Sequence, residues 1–445
     1  MRRALPLLPA GLALRPAAAR AARSSWATVW AASVQGPYPV GNPSAQPDQR
    51  FAFPEPAKGA RDQTLRMVVK PSLWGRQARV RFTNALGTRP LSIDGVHMGL
   101  QHGGATVLAG SSRPLRFGGA PGITIPPGGM AWSDAVILPF ARDPHAGLLA
   151  GRKLAISFHV VGESGPMTWH AKALQTSYVS PPGSGSHGAD ESEAAFPFPT
   201  ASCYFVDALD MQAPVNTPVV VGFGDSITDG TASTMNGDDR WPDVLARRLY
   251  ATFGNRVAVV NAGIGGNQVV GPREYSPEKP FAGGPSALMR LERDVISLSG
   301  VTTVVWLEGT NDFSRNGNAS IDAVLTGMRE GVRRLREGIP GVRVVGATLV
   351  SALRSTSPAH GFAEQEQKRQ VVNAFIRSGE VFDGAVDFDR ATLDTTSGEL
   401  QPQMVPDNTV GGPGDKLHPN RAGYLAMANA IDPAVVVPQL ARRRG

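Results

Sequence analysis

The chain has 445 residues, 42% of them hydrophobic, with 51 glycines and 37 prolines; that is more than one ordinary domain needs, and two turn-rich cores are expected. Its formal net charge is +7, but Arg2, Arg3, Arg15, Arg20 and Arg23 sit at one end and Arg442, Arg443 and Arg444 at the other. Setting those aside leaves 36 basic residues against 37 acidic ones, a near-neutral body that argues against a broad phosphate-binding face and against nucleic acid as a partner.

Residues 1–23 open with two arginines after Met1, followed by an apolar stretch from Ala4 to Leu14 and then small alanines. This is the pattern of a secretory leader, so a secreted or periplasmic protein is expected, with a cytoplasmic one as the alternative. The apolar stretch is too short to cross a bilayer, and no other segment approaches that length. Residues 24–212 are expected to form a β-rich domain. From about Thr64 to Val161, TLRMVVK, QARVRFTNAL, MAWSDAVILP and RKLAISFHVV are strand-length runs separated by GGAPG and PPGG, which predicts an antiparallel, sandwich-like fold. SPPGSGSHGADESE, from Ser180 to Glu193, reads as an exposed loop or linker. The single Cys203 excludes an intrachain disulfide and reads as a small packed residue.

Residues 213–445 have a different rhythm. Strand-like VVVGF is followed by helix-like RWPDVLARRLYATF, then RVAVVNA, SALMRLERDVISL, VTTVVWLEG, IDAVLTGMREGVRRLREG, VRVVGATLV, QEQKRQVVNAFIRS and FDGAVDFD. The strands are continuous hydrophobic runs, as parallel strands buried on both faces require. Repeated β-then-α units predict a three-layer α/β/α domain around a parallel sheet. Sites in such sheets gather beyond the carboxyl ends of the strands.

Four blocks stand at or near those ends: Gly224-Asp225-Ser226; GIGGN, containing Gly265, Gly266 and Asn267; Gly309-Thr310-Asn311-Asp312; and DKLHPN, with Asp415 and His418. Each has an ordinary structural reading. Serine caps helices, glycines permit tight turns, and Asn311, Asp415 or His418 could cap a turn or helix. Together they supply what acyl transfer to serine requires. A serine hydroxyl is a weak nucleophile until a base takes its proton. His418 can be that base, and Asp415 can hold its tautomer and stabilise the imidazolium. The backbone N–H groups of Ser226 and Gly266 and the Asn311 amide can serve as oxyanion donors.

In order and spacing, GDSITDG, NAGIGGN, EGTND and DKLHPN resemble the blocks of the SGNH hydrolases, the GDSL esterase/lipase family, across roughly Pro218 to Ile431. The resemblance implies Ser226, Asp415 and His418 as catalytic residues and Ser226, Gly266 and Asn311 as the oxyanion hole. The leucine of the family name is Ile227 here. Thr228 stands where the α/β-hydrolase elbow G-x-S-x-G would place its last glycine. WATVWAASVQGP, QTLRMVVKPSLWGRQARVRFTNALGTRPL and RWPDVLARRL resemble a bacterial subgroup in which a β-rich domain precedes the hydrolase, often likened to arylesterases and carbohydrate acyl-esterases.

The resulting expectation is a serine ester hydrolase acting through an acyl-enzyme on carbohydrate-borne or other short acyl esters, small or polymeric. Alternatives are a lipase, lysophospholipase or arylesterase of the same family, and a carbohydrate-binding protein. No P-loop and no zinc-type cluster appears, so no cofactor and no metal is expected. Asp225, Asp229 and Asp312 read as supports for the turns, and Trp306 as core. Arg273 and Tyr275 lie on a loop that could wall the pocket. His360 and Asn373 read as surface or packing residues.

Overall fold

A computed structural model describes residues 24–405 and 413–442; the expected leader at 1–23 lies outside them. The C-terminal half is built on a five-stranded sheet. In spatial order its strands are Ala258–Gly263, Val219–Gly224, Val301–Leu307, Arg343–Ala347 and Gly384–Val386, and every pairing is parallel. Val219–Gly224 is buried at all six positions, which explains why it reads as unbroken hydrophobic sequence. It lies between the second and third strands of the chain order, so the sheet's topological switch point falls at its carboxyl end. Ser226 follows that end directly.

The helices between these strands bury one face each. In Ile321–Gly338 the buried Val324, Met328, Val332 and Leu335 recur at helical spacing, and Ser320 caps the start by accepting from the Ala323 N–H. SALMRLERDVISL does not form one regular helix. A short turn, Ala287–Leu291, runs into a π-helical turn, Glu292–Ile296. Asp294 points inward and takes both Arg290 and Arg293, and Arg293 also donates to the Val34 carbonyl at 2.7 Å.

The N-terminal half is strand-rich. One antiparallel sheet joins Ser24–Ala31, Val206–Pro214, Gln77–Thr83 and Val136–Ile137. Another includes Ser177–Val179, Arg61–Val69, Leu154–Glu163 and Leu91–Gly103. Met67, Phe82, Phe158, Leu209 and Met211 are buried among them, and the Phe82 and Phe158 rings meet edge-on at 5.3 Å. The Ser180–Glu193 segment is a loop but not a linker between halves. It joins Ser177–Val179 to Phe198–Thr200, which pair with each other, and it is pinned by Val107 N–H to the Glu191 carbonyl at 2.8 Å.

The halves share an extensive seam. Thr28 N–H donates to Ser299 O at 2.9 Å, Trp74 and Asn255 exchange two bonds, and buried Arg81 spans Asp207 and Ser297 Oγ. Among the described residues no helix is long and apolar enough to cross a membrane.

Candidate active site

The strand Val219–Gly224 is followed at once by a single helical turn, Ser226–Asp229. Asp225 caps it, accepting from the Ile227 N–H at 2.9 Å, and Gly230 closes it with φ 107°. Ser226 is thereby fixed at the first helical position on the end of a buried strand.

His418 Nε2 lies 2.8 Å from Ser226 Oγ, and His418 Nδ1 lies 2.6 Å from Asp415 Oδ2. The other Asp415 oxygen accepts from the backbone N–H groups of Leu417 and His418 at 2.9 and 2.8 Å. The Asp415 carbonyl accepts from Thr356 N–H and Ser355 Oγ, so a neighbouring loop holds the segment in place. Burial works against the Asp415 carboxylate, but the His418 ring and the two N–H groups outweigh it and hold the carboxyl well below its usual range.

The remaining blocks are stitched to the first by hydrogen bonds. Ile264 N–H donates to Gly224 O at 3.0 Å, and Gly265 N–H to Asp229 Oδ2 at 2.8 Å. Asn311 Nδ2 donates to Asn267 O at 2.9 Å, which engages one of its two N–H bonds. Asp312 accepts from Val269 and Val270 N–H at 2.8 and 3.0 Å. Gly266 takes φ +85°, a left-handed conformation that glycine adopts without strain. Among the described residues, the backbone N–H groups of Ser226 and Gly266 donate no hydrogen bond.

Behind this layer lies buried charge. Burial pushes the Asp225 and Asp312 carboxyls up to about 7, and the charge of Asp312 adds to the effect at Asp225. Burial also raises the Glu308 carboxyl well above its usual range. Arg290, itself 1% exposed, gathers the strand ends. It donates to Gly224 O at 2.9 Å, Ala262 O at 2.7 Å, Asn267 Oδ1 at 2.8 Å and Glu308 Oε1 at 3.0 Å. Its guanidinium also lies 4.0 Å from the Phe223 ring centre.

The expected Ser226, Asp415 and His418 thus form one hydrogen-bonded chain, and Gly266 and Asn311 sit on segments bonded to the Ser226 turn or to one another. Asp225, Asp229 and Asp312 accept backbone N–H bonds, and Trp306 is fully buried. Asn373 packs by bonding both the N–H and carbonyl of Leu349. Tyr275 donates to the Gln35 carbonyl at 2.7 Å, whereas Arg273 is exposed. His360 is not a plain surface residue. Gln365 holds its Nδ1 at 2.8 Å, and burial, aided by the charge of His418, lowers its pKa to about 4. His360, Arg290, Asn42 and Lys172 carried no motif in the sequence; only their neighbours in space reveal them.

A cavity of about 420 Å³ lies elsewhere, between the halves, where Val29, Trp30, Trp74, Arg240, Ala246 and Val260 contribute to its wall. None of Ser226, Gly266, Asn311 or His418 lines it.

Residues 223–426 match the GDSL-like lipase/acylhydrolase family. Solved structures similar to this chain include a GDSL-like lipase from Bacteroides thetaiotaomicron, at 19% identity and TM-score 0.36, covering 52% of this chain and 90% of that one. A carbohydrate acetylesterase from Sinorhizobium meliloti is similar at 15% identity and TM-score 0.36, over 51% and 99% of the two chains. An aryl esterase from M. smegmatis is similar at 19% identity and TM-score 0.36, over 51% and 98%. No curated protein matches this chain. The family match begins in the strand that leads to Ser226 and ends in the helix that follows His418, so the likeness to the GDSL-like lipase/acylhydrolase family covers residues 223–426.

Proposed function

We propose that this protein is a serine carboxylic-ester hydrolase that works through an acyl-enzyme and removes short acyl groups, acetyl above all, from carbohydrate or similar alcohols. The observation that carries the reading is the contact of His418 Nε2 with Ser226 Oγ at 2.8 Å while its Nδ1 is held by Asp415 at 2.6 Å. As Ser226 Oγ attacks the ester carbonyl carbon, His418 Nε2 takes the hydroxyl proton, and Asp415 stabilises the imidazolium. The carbonyl electron pair moves to oxygen. That oxyanion is met by the N–H groups of Ser226 and Gly266 and the second Asn311 amide N–H. Collapse breaks the bond to the alcohol oxygen, which leaves with the proton from His418. A water then gives a proton to His418 and attacks the acyl carbon; Ser226 Oγ leaves, regains its proton, and the carboxylic acid departs.

The short acyl group is favoured by the character of the surrounding blocks, which are glycine turns and small polar residues at Gly265, Gly266, Thr310 and Asn311. The same reading takes residues 213–445 as a three-layer α/β/α hydrolase domain and residues 24–212 as a sandwich-like companion. Ser226→Ala tests it with a p-nitrophenyl ester series. Turnover of the acetate should fall by about 10⁴-fold or more, with the circular dichroism spectrum unchanged, and the wild type should prefer acetate to long chains. Full activity in that variant would refute the nucleophile.

A further inference from the structure

Two side chains from the strand-rich half reach the turn that carries Gly266. Asn42 Nδ2 donates to the Gly265 carbonyl at 2.7 Å. A methyl group built at Gly266 would come within 2.7 Å of that same Nδ2, and one at Gly265 within 2.8 Å of Lys172 Nζ. Both distances are closer than a side-chain carbon tolerates, so the glycines leave the space these two residues occupy. Asn42 is itself wedged in place. The Trp169 indole N–H holds the Val40 carbonyl at 3.0 Å, and a methyl at Gly41 would meet Ala171 at 2.9 Å. Lys172 is only 4% exposed and donates to Thr231 Oγ1, whose backbone N–H in turn donates to the Ser226 carbonyl at 2.9 Å. Burial lowers the pKa of its ammonium, and the charges of Asp229, Asp225 and Asp415 oppose that only in part. From the same half, Gln35 pins the 271–285 loop by donating to the Ala282 carbonyl at 2.9 Å.

We infer that Asn42 and Lys172 are positioning residues for the Gly265–Gly266 turn, and that the strand-rich half is therefore a working part of the hydrolase site; this rests on the acyl-enzyme reading above. A free Gly266 N–H is useful only if it points where the oxyanion forms. The Gly265 carbonyl belongs to the peptide unit that contains that N–H, so a donor fixing the carbonyl fixes the N–H direction as well. Lys172 adds a counter-charge. The oxyanion develops close to Asp229, and a cation beside that carboxylate offsets its repulsion.

The test is steady-state kinetics of the full chain on p-nitrophenyl acetate for Asn42→Asp, Asn42→Leu and Lys172→Met, with Ser226→Ala alongside. Asn42→Asp keeps the shape of the side chain but removes the donor, and its half-buried position makes misfolding the smaller concern. For each of the three, kcat should fall about 10- to 100-fold, the range expected when a group is displaced by a fraction of its productive geometry. KM should stay within about threefold, and the melting temperature of the two Asn42 variants close to wild type. Wild-type kcat in both Asn42 variants would overturn the inference. So would a loss of rate that only tracks a loss of folded protein, because that is the signature of a packing contact. A dead Ser226→Ala beside fully active Asn42 variants refutes the positioning role alone, whereas an active Ser226→Ala refutes the underlying acyl-enzyme reading.

Discussion

Asp415 shows how one residue sets the pH behaviour. Its carboxyl is held below its usual range, so the charge that orients His418 is complete above the unfolded value, about 3.9. The matching stability is lost only as pH falls through the depressed folded value. Asp415 therefore adds no step near neutrality. The account predicts that kcat/KM changes between about pH 5 and 8, where the buried Asp225 and Asp312 carboxyls, pushed up to about 7, exchange protons beside the Ser226 turn; a pH–rate profile checks it, and a flat profile would contradict that coupling. Asn311 carries a separable task. With one N–H engaged by Asn267 O at 2.9 Å, the other is left for the oxyanion, and Asn311→Ala should lower kcat by about 10²–10³-fold with little change in KM. At this scale the sequence was legible where residues sit in blocks. Ser226, Gly266, Asn311, Asp415 and His418 could be read because each lies in a recognisable local pattern. Asn42, Lys172 and His360 could not, because what brings them to the site is the docking of distant segments, which leaves no local pattern.

Among the elements, the parallel strands were the most readable, since burial on both faces imposes a continuous apolar run, as in Val219–Gly224 and Val301–Leu307. Leu91–Gly103 was not read as a strand. Gly95 at φ +55° sits within it, its pairing with Leu154–Glu163 slips register, and its buried positions do not alternate cleanly. The strands Ser24–Ala31 and Val206–Pro214 were missed as well; their pairing also contains a register shift, between Thr28 and Trp30. The Ala287–Ile296 segment reads as one helix by spacing, yet its charged residues widen a turn so that Arg290, Arg293 and Asp294 meet. That turn is where Arg290 draws three strand ends together. Arg290→Met would leave Glu308 without its cation in the interior and Asp294 with Arg293 alone, and chemical denaturation should register a loss of about 3–5 kcal/mol. A loss under about 1 kcal/mol would show that the hub does not hold the strand ends.

Across the whole molecule, the strand-rich half and the parallel-sheet half meet along a seam that includes buried charge, with Arg81 on Asp207 at 2.7 Å and Arg79 on Asp210 at 2.8 Å. The cavity of about 420 Å³ lies between the halves and away from Ser226. What unites the molecule is the bonding of four loops around one hydroxyl, and the covalent intermediate is the most direct evidence that this geometry works as a catalyst. Protein quenched in acid during turnover of p-nitrophenyl acetate, then digested and measured by mass spectrometry, reports that intermediate. The account predicts one acetyl group on the peptide containing Ser226, absent from Ser226→Ala. Acetyl found only on another residue, or no acetyl while Ser226→Ala turns over at the wild-type rate, would contradict it.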